Sequence, residues 1–98
     1  MLHAAALRVE LRIPDAHSLK EKRGKLKPAI AELRKQFGIS VAEIDHQDLW
    51  QRATLGVAIV AAQAGQLQRL VHSIERHMEK LDGITYLRMA VSYLEDPL

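Results

Sequence analysis

Hydrophobic residues follow two different periods along the chain, and each period predicts one type of secondary structure. Alternating apolar and polar positions predict four strands, at residues 7–13, 39–44, 53–62 and 87–93. Apolar residues that recur every three or four positions predict two amphipathic helices, one between Ser18 and Gly38 and one over residues 67–81. The predicted order of elements is β-α-β-β-α-β, with little linker between them.

The first predicted helix has clear start and stop signals. Ser18 is followed three positions later by Glu21, which is the spacing of a capping box, and Gly38 follows the last apolar position. The apolar face of this helix is expected to consist of Leu19, Leu26, Ile30, Leu33 and Phe37.

This order of elements predicts a ferredoxin-like α+β fold, in which two right-handed βαβ halves form one antiparallel sheet. The expected strand order is 4-1-3-2, with both helices on one face. At 98 residues the chain is expected to form one domain, residues 1–98. In this topology the segment 14–20 and the hairpin tip 45–52 lie at the same end of the molecule, although they are far apart in sequence.

The composition excludes several classes of site. The chain has no cysteine, which excludes disulfides, thiolate catalysis and zinc held by cysteines. No apolar run approaches the roughly 18 residues of a membrane span, and the first residues do not resemble a leader peptide. With 48% hydrophobic and 27% charged residues, the chain is expected to be a cytoplasmic protein without a membrane partner.

Positive charge is concentrated in the first helix. Residues 18–37 contain seven Lys or Arg and two Glu, a net +5, whereas the whole chain carries +2. Lys20, Lys27 and Arg34 recur every seventh position and form what we call the basic ridge. A helix N-terminus surrounded by cations attracts anions, so phosphate or an RNA backbone is the expected ligand. A solvated basic face is the alternative. The residues expected to contact this ligand here are His17, Ser18, Lys20, Lys22, Lys27 and Arg34.

Two stretches resemble a known family. His17–Arg23, HSLKEKR, and Val41–Ala58, VAEIDHQDLWQRATLGVA, closely resemble the signature stretches of the YlxP-like family of small bacterial proteins. The resemblance implies a ferredoxin-like fold and a gene often found among translation and ribosome-maturation genes, and it implies no known reaction. The sequence departs from the family pattern at Gly24 and Pro28, where a helix former is usual.

Arg23 falls within the apolar face of the first helix, near the hairpin end. A buried arginine requires a partner because an unpaired buried charge is costly. Asp45 and Asp48 are the nearest candidates. We therefore expect a structural ion pair from Arg23 to one of these aspartates, and a loss of stability when Arg23 is replaced.

The hairpin tip also contains groups that can bind metals or move protons. His46, Asp45 and Asp48, together with His17, supply imidazole and carboxylate. Their spacing matches no metal or catalytic motif, and no glycine-rich phosphate loop accompanies them. We therefore expect no metal, no cofactor and no catalytic residue, with these side chains capping the turn instead.

The predicted open face of the sheet lacks the aromatic residues of an RNA-recognition module on its two central strands. Its small and apolar residues suit contact with a second copy of the chain, which predicts a homo-oligomer, most simply a dimer. Trp50, at the hairpin end, can stack on a base or pack in such a dimer. Arg52 is expected to join the RNA-binding set.

The sequence thus favours a non-enzymatic protein that contacts RNA or a ribosomal particle through the first helix and the hairpin end. Three other functions stay open. They are a regulatory module that binds an anion or small ligand, a purely structural homo-oligomer, and a metal-dependent enzyme that uses His46 with Asp45 or Asp48.

Overall fold

A computed structural model describes residues 1–95 and confirms the predicted order of elements. The elements are β1 (His3–Arg12), α1 (Leu19–Phe37), β2 (Ser40–Asp45), β3 (Arg52–Ala61), α2 (Ala64–Met78) and β4 (Thr85–Glu95). The strands lie within a few residues of their predicted positions. α2 begins and ends three residues earlier than predicted, since a turn at Glu79-Lys80 follows Met78 and precedes the predicted turn at Asp82-Gly83.

The four strands form one antiparallel sheet in the order β2-β3-β1-β4, which is the predicted order read from the other edge. The fold is ferredoxin-like. Alternate residues of the central strands point toward the helices and are almost fully buried, as Val9 and Leu55 are at 0% exposure. The core between sheet and helices is completed from the helices by Leu26, Ala29, Leu33, Leu67, Val71, Ile74 and Met78.

The buried face of α1 shares Leu26 and Leu33 with the predicted face but is rotated toward Lys22 and Ala29. Its buried residues are Lys22, Leu26, Ala29 and Leu33, so the centre of this face passes through Lys22. Arg23 follows about 100° further around the helix and is exposed. Pro28 is exposed too, and the helix continues through it.

Two glycines of α1 have opposite requirements and give a matched test of the helix. Gly24 lies mid-helix, and a β-carbon there meets no neighbour, whereas Gly38 caps the helix at φ +61. We expect Gly24→Ala to raise the free energy of unfolding by about 0.5 to 1 kcal/mol, since alanine loses less entropy in a helix. Gly38→Ala should lower it by about 1 kcal/mol because of left-handed strain. Urea denaturation of both variants measures the difference, and equal effects would contradict this account.

β4 contains an irregularity that changes which side chains face the helices. Glu10 pairs with Arg88 but Leu11 pairs with Tyr86, so Leu87 is an extra residue in β4. Regular alternation from Arg88 would place Tyr86 on the open face, whereas the bulge turns it toward α2, where its hydroxyl donates to Glu75. Burial, together with this carboxylate, raises the pKa of Tyr86 to about 12.

No helix within residues 1–95 is long and apolar enough to cross a membrane.

Candidate functional site

The segment before α1 and the tip of the β2–β3 hairpin meet at one end of the sheet, as the topology predicts. Ile13 donates its backbone N–H to the Gln51 carbonyl at 3.0 Å, and the Gln51 side chain donates to the Ala16 carbonyl at 3.1 Å. These bonds join segments that are about 35 residues apart and hold the hairpin tip against the start of α1.

Lys22 is the buried cation of this region. Its side chain is 2% exposed, its Nζ lies 2.7 Å from Glu43 Oε2, and it donates a 2.7 Å hydrogen bond to the His46 carbonyl. The ion pair and hydrogen bond compensate for the cost of burying the ammonium group. The prediction that Lys22 contacts RNA or an anion is therefore wrong, because its charge is directed into the protein.

The predicted ion pair of Arg23 with Asp45 or Asp48 is also wrong. Arg23 is exposed, and none of the ion pairs found among residues 1–95 includes Arg23 or Asp48. Asp45 instead approaches Arg8 of β1, with 3.3 Å between Oδ2 and the guanidinium. An ion pair between α1 and the hairpin does exist, but Lys22 and Glu43 form it. Lys22 directly precedes Arg23, the residue expected to form the pair.

A second polar cluster lies on the open face of the sheet around Glu10. This glutamate is only 7% exposed, and the Thr54 hydroxyl opposite it is fully buried and donates to Oε2 at 2.9 Å. Because the hydroxyl proton is used toward Glu10, the 2.9 Å contact between Thr54 Oγ1 and His46 Nδ1 requires a proton on Nδ1. The cluster thereby orients the His46 imidazole with its Nδ1 toward Thr54.

Two arginines complete the cluster and control its protonation. Arg8 Nε lies 3.2 Å from Glu10 Oε1, and Arg52 approaches Oε2 at 3.4 Å. Burial raises the pKa of Glu10, but the hydrogen bond from Thr54 and the charges of the arginines outweigh it, so the pKa lies below its ordinary value. Arg52, which was expected to contact RNA, is thus directed toward Glu10.

His46 connects the Lys22–Glu43 ion pair with the polar cluster around Glu10. Its carbonyl accepts from Lys22, and its N–H donates to Asp45 Oδ1 at 2.8 Å. That bond, with the charges of His46 and Arg8, lowers the pKa of Asp45. His46 has φ 58, a left-handed conformation that is uncommon for a residue other than glycine. The surrounding hydrogen bonds offset this strain.

The N-terminus of α1 is satisfied by the protein itself. The Ser18 hydroxyl accepts from the Glu21 N–H at 3.0 Å, and the Glu21 carboxylate accepts from the His17 N–H at 2.7 Å. The Ser18 half of the predicted capping box is confirmed, whereas the Glu21 carboxylate bonds to the N–H of His17 instead of that of Ser18, the N-cap residue. Both bonds affect the predicted anion site. Because Ser18 and the Glu21 carboxylate already serve this helix end, an incoming anion would meet a negative charge. Ser18 is therefore a capping residue, whereas His17 is exposed.

The basic ridge is exposed along the flank of α1 that faces the β2 edge. Lys20 and Lys27 are exposed, and neither forms an ion pair within the described part of the chain. Arg34 also lies at the surface, and one of its nitrogens donates to the Val41 carbonyl of β2 at 2.6 Å. Arg23 lies on the same flank, so its positive charge adds to the ridge.

Trp50 lies in the short segment before β3 with 51% of its surface exposed. Its neighbour Leu49 is 45% exposed, and both line a shallow depression on this segment. An exposed indole beside an exposed leucine is costly in water and is typical of a contact surface.

The open face of the sheet carries a shallow groove of about 460 Å³. The Ile44 side chain packs against Gly56 on this face, and a β-carbon added at Gly56 would lie 2.9 Å from Ile44 Cγ2. The central strands present no aromatic side chain on this face within the described residues. Among the residues that line the groove are Ala6, Ala42, Ile44, Ala58 and Ala90.

Groups that can bind metals do not gather at the hairpin end. Within residues 1–95, no three His, Asp or Glu side chains are placed to hold a metal ion. His46 Nδ1 and both Asp45 oxygens already have partners in the protein. The arrangement can hold the His46 side chain in one orientation and place cations such as Lys22 beside this residue.

Comparison with known proteins identifies the family. The family model described as protein of unknown function DUF503 matches residues 4–91. The chain belongs to the DUF503 family. It is 33% identical over 83 residues to the uncharacterized protein YlxP of Bacillus subtilis strain 168, a match that covers 85% of this chain and 87% of that protein.

Two solved structures similar to this DUF503 chain are designed proteins. The de novo designed protein Foldit4 superposes with a TM-score of 0.58 at 18% identity, over 98% of this chain and 99% of that one. The designed ferredoxin-fold protein LFR1 gives a TM-score of 0.49 at 16% identity, over 93% of this chain and 82% of that one. At these identities the likeness to Foldit4 concerns the fold alone.

Proposed function

We propose that this DUF503 protein is a non-enzymatic cytoplasmic protein that binds RNA, alone or within a ribosomal particle. The observation that carries the proposal is the flank of α1 on which Lys20, Arg23, Lys27 and Arg34 lie together at the surface. This set differs from the expected one, since Lys22 and Arg52 are engaged within the protein and Arg23 is free.

The spacing of these cations suits an extended phosphate backbone. Lys20 and Arg34 are separated by 14 helical residues, or about 21 Å at a rise of about 1.5 Å per residue. Four cations along that length can each approach a phosphate, and phosphate contacts supply most of the affinity in sequence-independent binding. Glu21 and Glu32, the acidic residues of α1, lie on other faces of the helix.

Trp50 gives the proposed surface a group that can stack on a base. Because every base has an aromatic face, stacking on an exposed indole stabilises single-stranded RNA binding with little dependence on sequence. Lys22 and Glu43 hold the hairpin tip that carries Trp50 against the start of α1.

Salt-dependent binding to single-stranded RNA is the expected outcome. Each phosphate contact releases counterions, so the logarithm of affinity should fall linearly with the logarithm of salt concentration. We expect Lys20→Ala, Arg23→Ala and Lys27→Ala each to reduce that slope by about 0.7. Fluorescence anisotropy with a labelled oligonucleotide at several potassium chloride concentrations measures it. Trp50→Ala should weaken binding by about 1 to 3 kcal/mol without changing the slope.

The matched control removes the same charge from other faces of α1. Lys25 and Lys35 are exposed like Lys20 and Lys27 but point away from the proposed flank. The Lys25→Ala/Lys35→Ala variant should keep the slope of the parent. The proposal is rejected if the parent shows no salt-sensitive affinity, or if this double variant and Lys20→Ala/Lys27→Ala lose affinity equally.

A further inference from the structure

The two edges of the sheet differ in how their backbone groups are protected. β2 is six residues long, and the carbonyls of Val41 and Glu43 accept hydrogen bonds from the Arg34 and Gln47 side chains. Alternate residues of an edge strand direct their backbone groups away from the sheet, so these side chains block the β2 edge from pairing with another strand.

β4 is less protected, since only the bulge at Leu87, near one end of the strand, interrupts its edge within the described residues. It is 11 residues long, roughly twice the usual strand length, and contains no lysine or proline. No side-chain hydrogen bond to its backbone is found among the residues whose side chains are described. Arg88 is the one charged residue between Thr85 and Leu94. About half of the backbone groups of this edge therefore face solvent and can accept another strand.

The helices also leave β4 partly uncovered. Met89, Val91 and Tyr93 point to the helix side, as Leu7, Val9 and Leu11 do on β1. The three β1 residues are at most 3% exposed, whereas Met89 and Val91 are half-buried and Tyr93 is 54% exposed. An apolar strip thus runs beside the β4 edge.

We propose that β4 is a dimerisation edge, pairing antiparallel with β4 of a second copy. β2 cannot accept this edge because its own is blocked, so the head-to-tail contact that would build filaments is excluded and the two-fold contact closes at a dimer. The bulge at Leu87 leaves Arg88–Glu95 regular. We therefore expect the two-fold axis near the middle of this segment, beside Val91. The two Arg88 side chains then lie far enough apart for screening to suppress their repulsion.

The area of this contact sets the expected strength. The regular segment Arg88–Glu95 is about 27 Å long and a sheet layer is about 10 Å thick, so edge pairing covers on the order of 500 Å² in total. Stable interfaces bury about 1,200 Å² or more, and the apolar strip must supply the difference. The dimer should therefore be reversible, with a dissociation constant in the micromolar range. The flank of α1 faces the opposite edge of the sheet, so the β4 contact leaves Lys20, Arg23 and Lys27 accessible to RNA.

Single cysteines give a direct test, since the natural chain has none. Residues opposite each other in an antiparallel pair have Cα atoms about 4.5 to 5.5 Å apart, which suits a disulfide. We expect at least one of Ala90→Cys, Val91→Cys and Ser92→Cys to form a covalent dimer under mild oxidation. The control Ala58→Cys, exposed on the open face of β3, should not.

Sedimentation equilibrium of the full chain gives the second readout. Tyr93→Lys should raise the dissociation constant at least about tenfold, because it places a charge in the apolar strip beside the paired edge. Val60→Lys, which adds the same charge to the open face, should leave it unchanged. A parent that stays monomeric up to about 1 mM overturns the proposal. So does a dimer that Val60→Lys dissociates, or that Ala58→Cys and none of the β4 cysteines cross-links.

Discussion

Lys22→Met should lower the free energy of unfolding by about 3 kcal/mol at neutral pH. The substitution keeps the unbranched stem and removes the ammonium group, which is 2% exposed and pairs with Glu43 at 2.7 Å. It leaves Glu43 without its cation and the His46 carbonyl without its donor, and stranding one partner of a buried pair costs about 3 to 5 kcal/mol. The lower end applies because the Glu43 side chain is 23% exposed. Urea denaturation followed by Trp50 fluorescence measures the loss.

The neighbouring residue supplies the control for Lys22. Arg23→Met removes the same charge from an exposed position and should change stability by less than about 0.5 kcal/mol. The double variant Lys22→Met/Glu43→Leu should recover most of the loss, since apolar pairs often replace buried ion pairs at no cost. Similar losses for Lys22→Met and Arg23→Met would show that burial does not decide the effect.

Glu10→Gln should lower the free energy of unfolding by about 2 kcal/mol at pH 7. The carboxylate accepts from Thr54 and faces Arg8 and Arg52, and bonds to charged groups contribute about 1.5 to 3 kcal/mol. The amide of the Glu10→Gln variant has one acceptor oxygen, so it cannot replace both carboxylate oxygens as acceptors. It also carries no charge to attract Arg8 and Arg52.

The same variant should change the pH dependence of stability. The pKa of Glu10 is lowered in the folded protein, so its stabilisation is complete above the unfolded pKa and is lost as pH falls through the folded value. The parent should therefore lose more stability than Glu10→Gln between neutral pH and the acid range below pH about 4. Denaturation curves at stepped pH values measure this difference. Asp48→Asn, at an exposed carboxylate, should follow the parent, and parallel curves for all three proteins would contradict the account.

The hydrophobic pattern was sufficient for the fold. Period-two alternation in the strands, the capping box at Ser18 and Glu21, and Gly38 after the helix placed every element and the strand order. These signals are local, and right-handed crossovers leave few ways to join them. The meeting of the hairpin tip with the start of α1 followed from the same topology.

The sequence did not determine the polar contacts. The structure buries Lys22 and exposes Arg23, the reverse of the prediction. Neighbouring residues of a helix differ by about 100° in direction, so a small rotation of the buried face decides which of the two is buried. The alternation of β1 places Glu10 on the open face, where a carboxylate is ordinarily exposed. Glu10 is buried because the strand register brings Thr54 beside it and the hairpin tip brings His46 over both.

The sequence by itself thus determined the elements, their order and the concentration of charge on α1. The tertiary structure decided which cations are free to meet a ligand and which edge of the sheet is open. Secondary structure follows from residues close in sequence, whereas a buried ion pair, a shared hydrogen bond or a blocked edge depends on distances of a few ångströms between residues far apart in the chain. Such distances are set only when the whole core is packed.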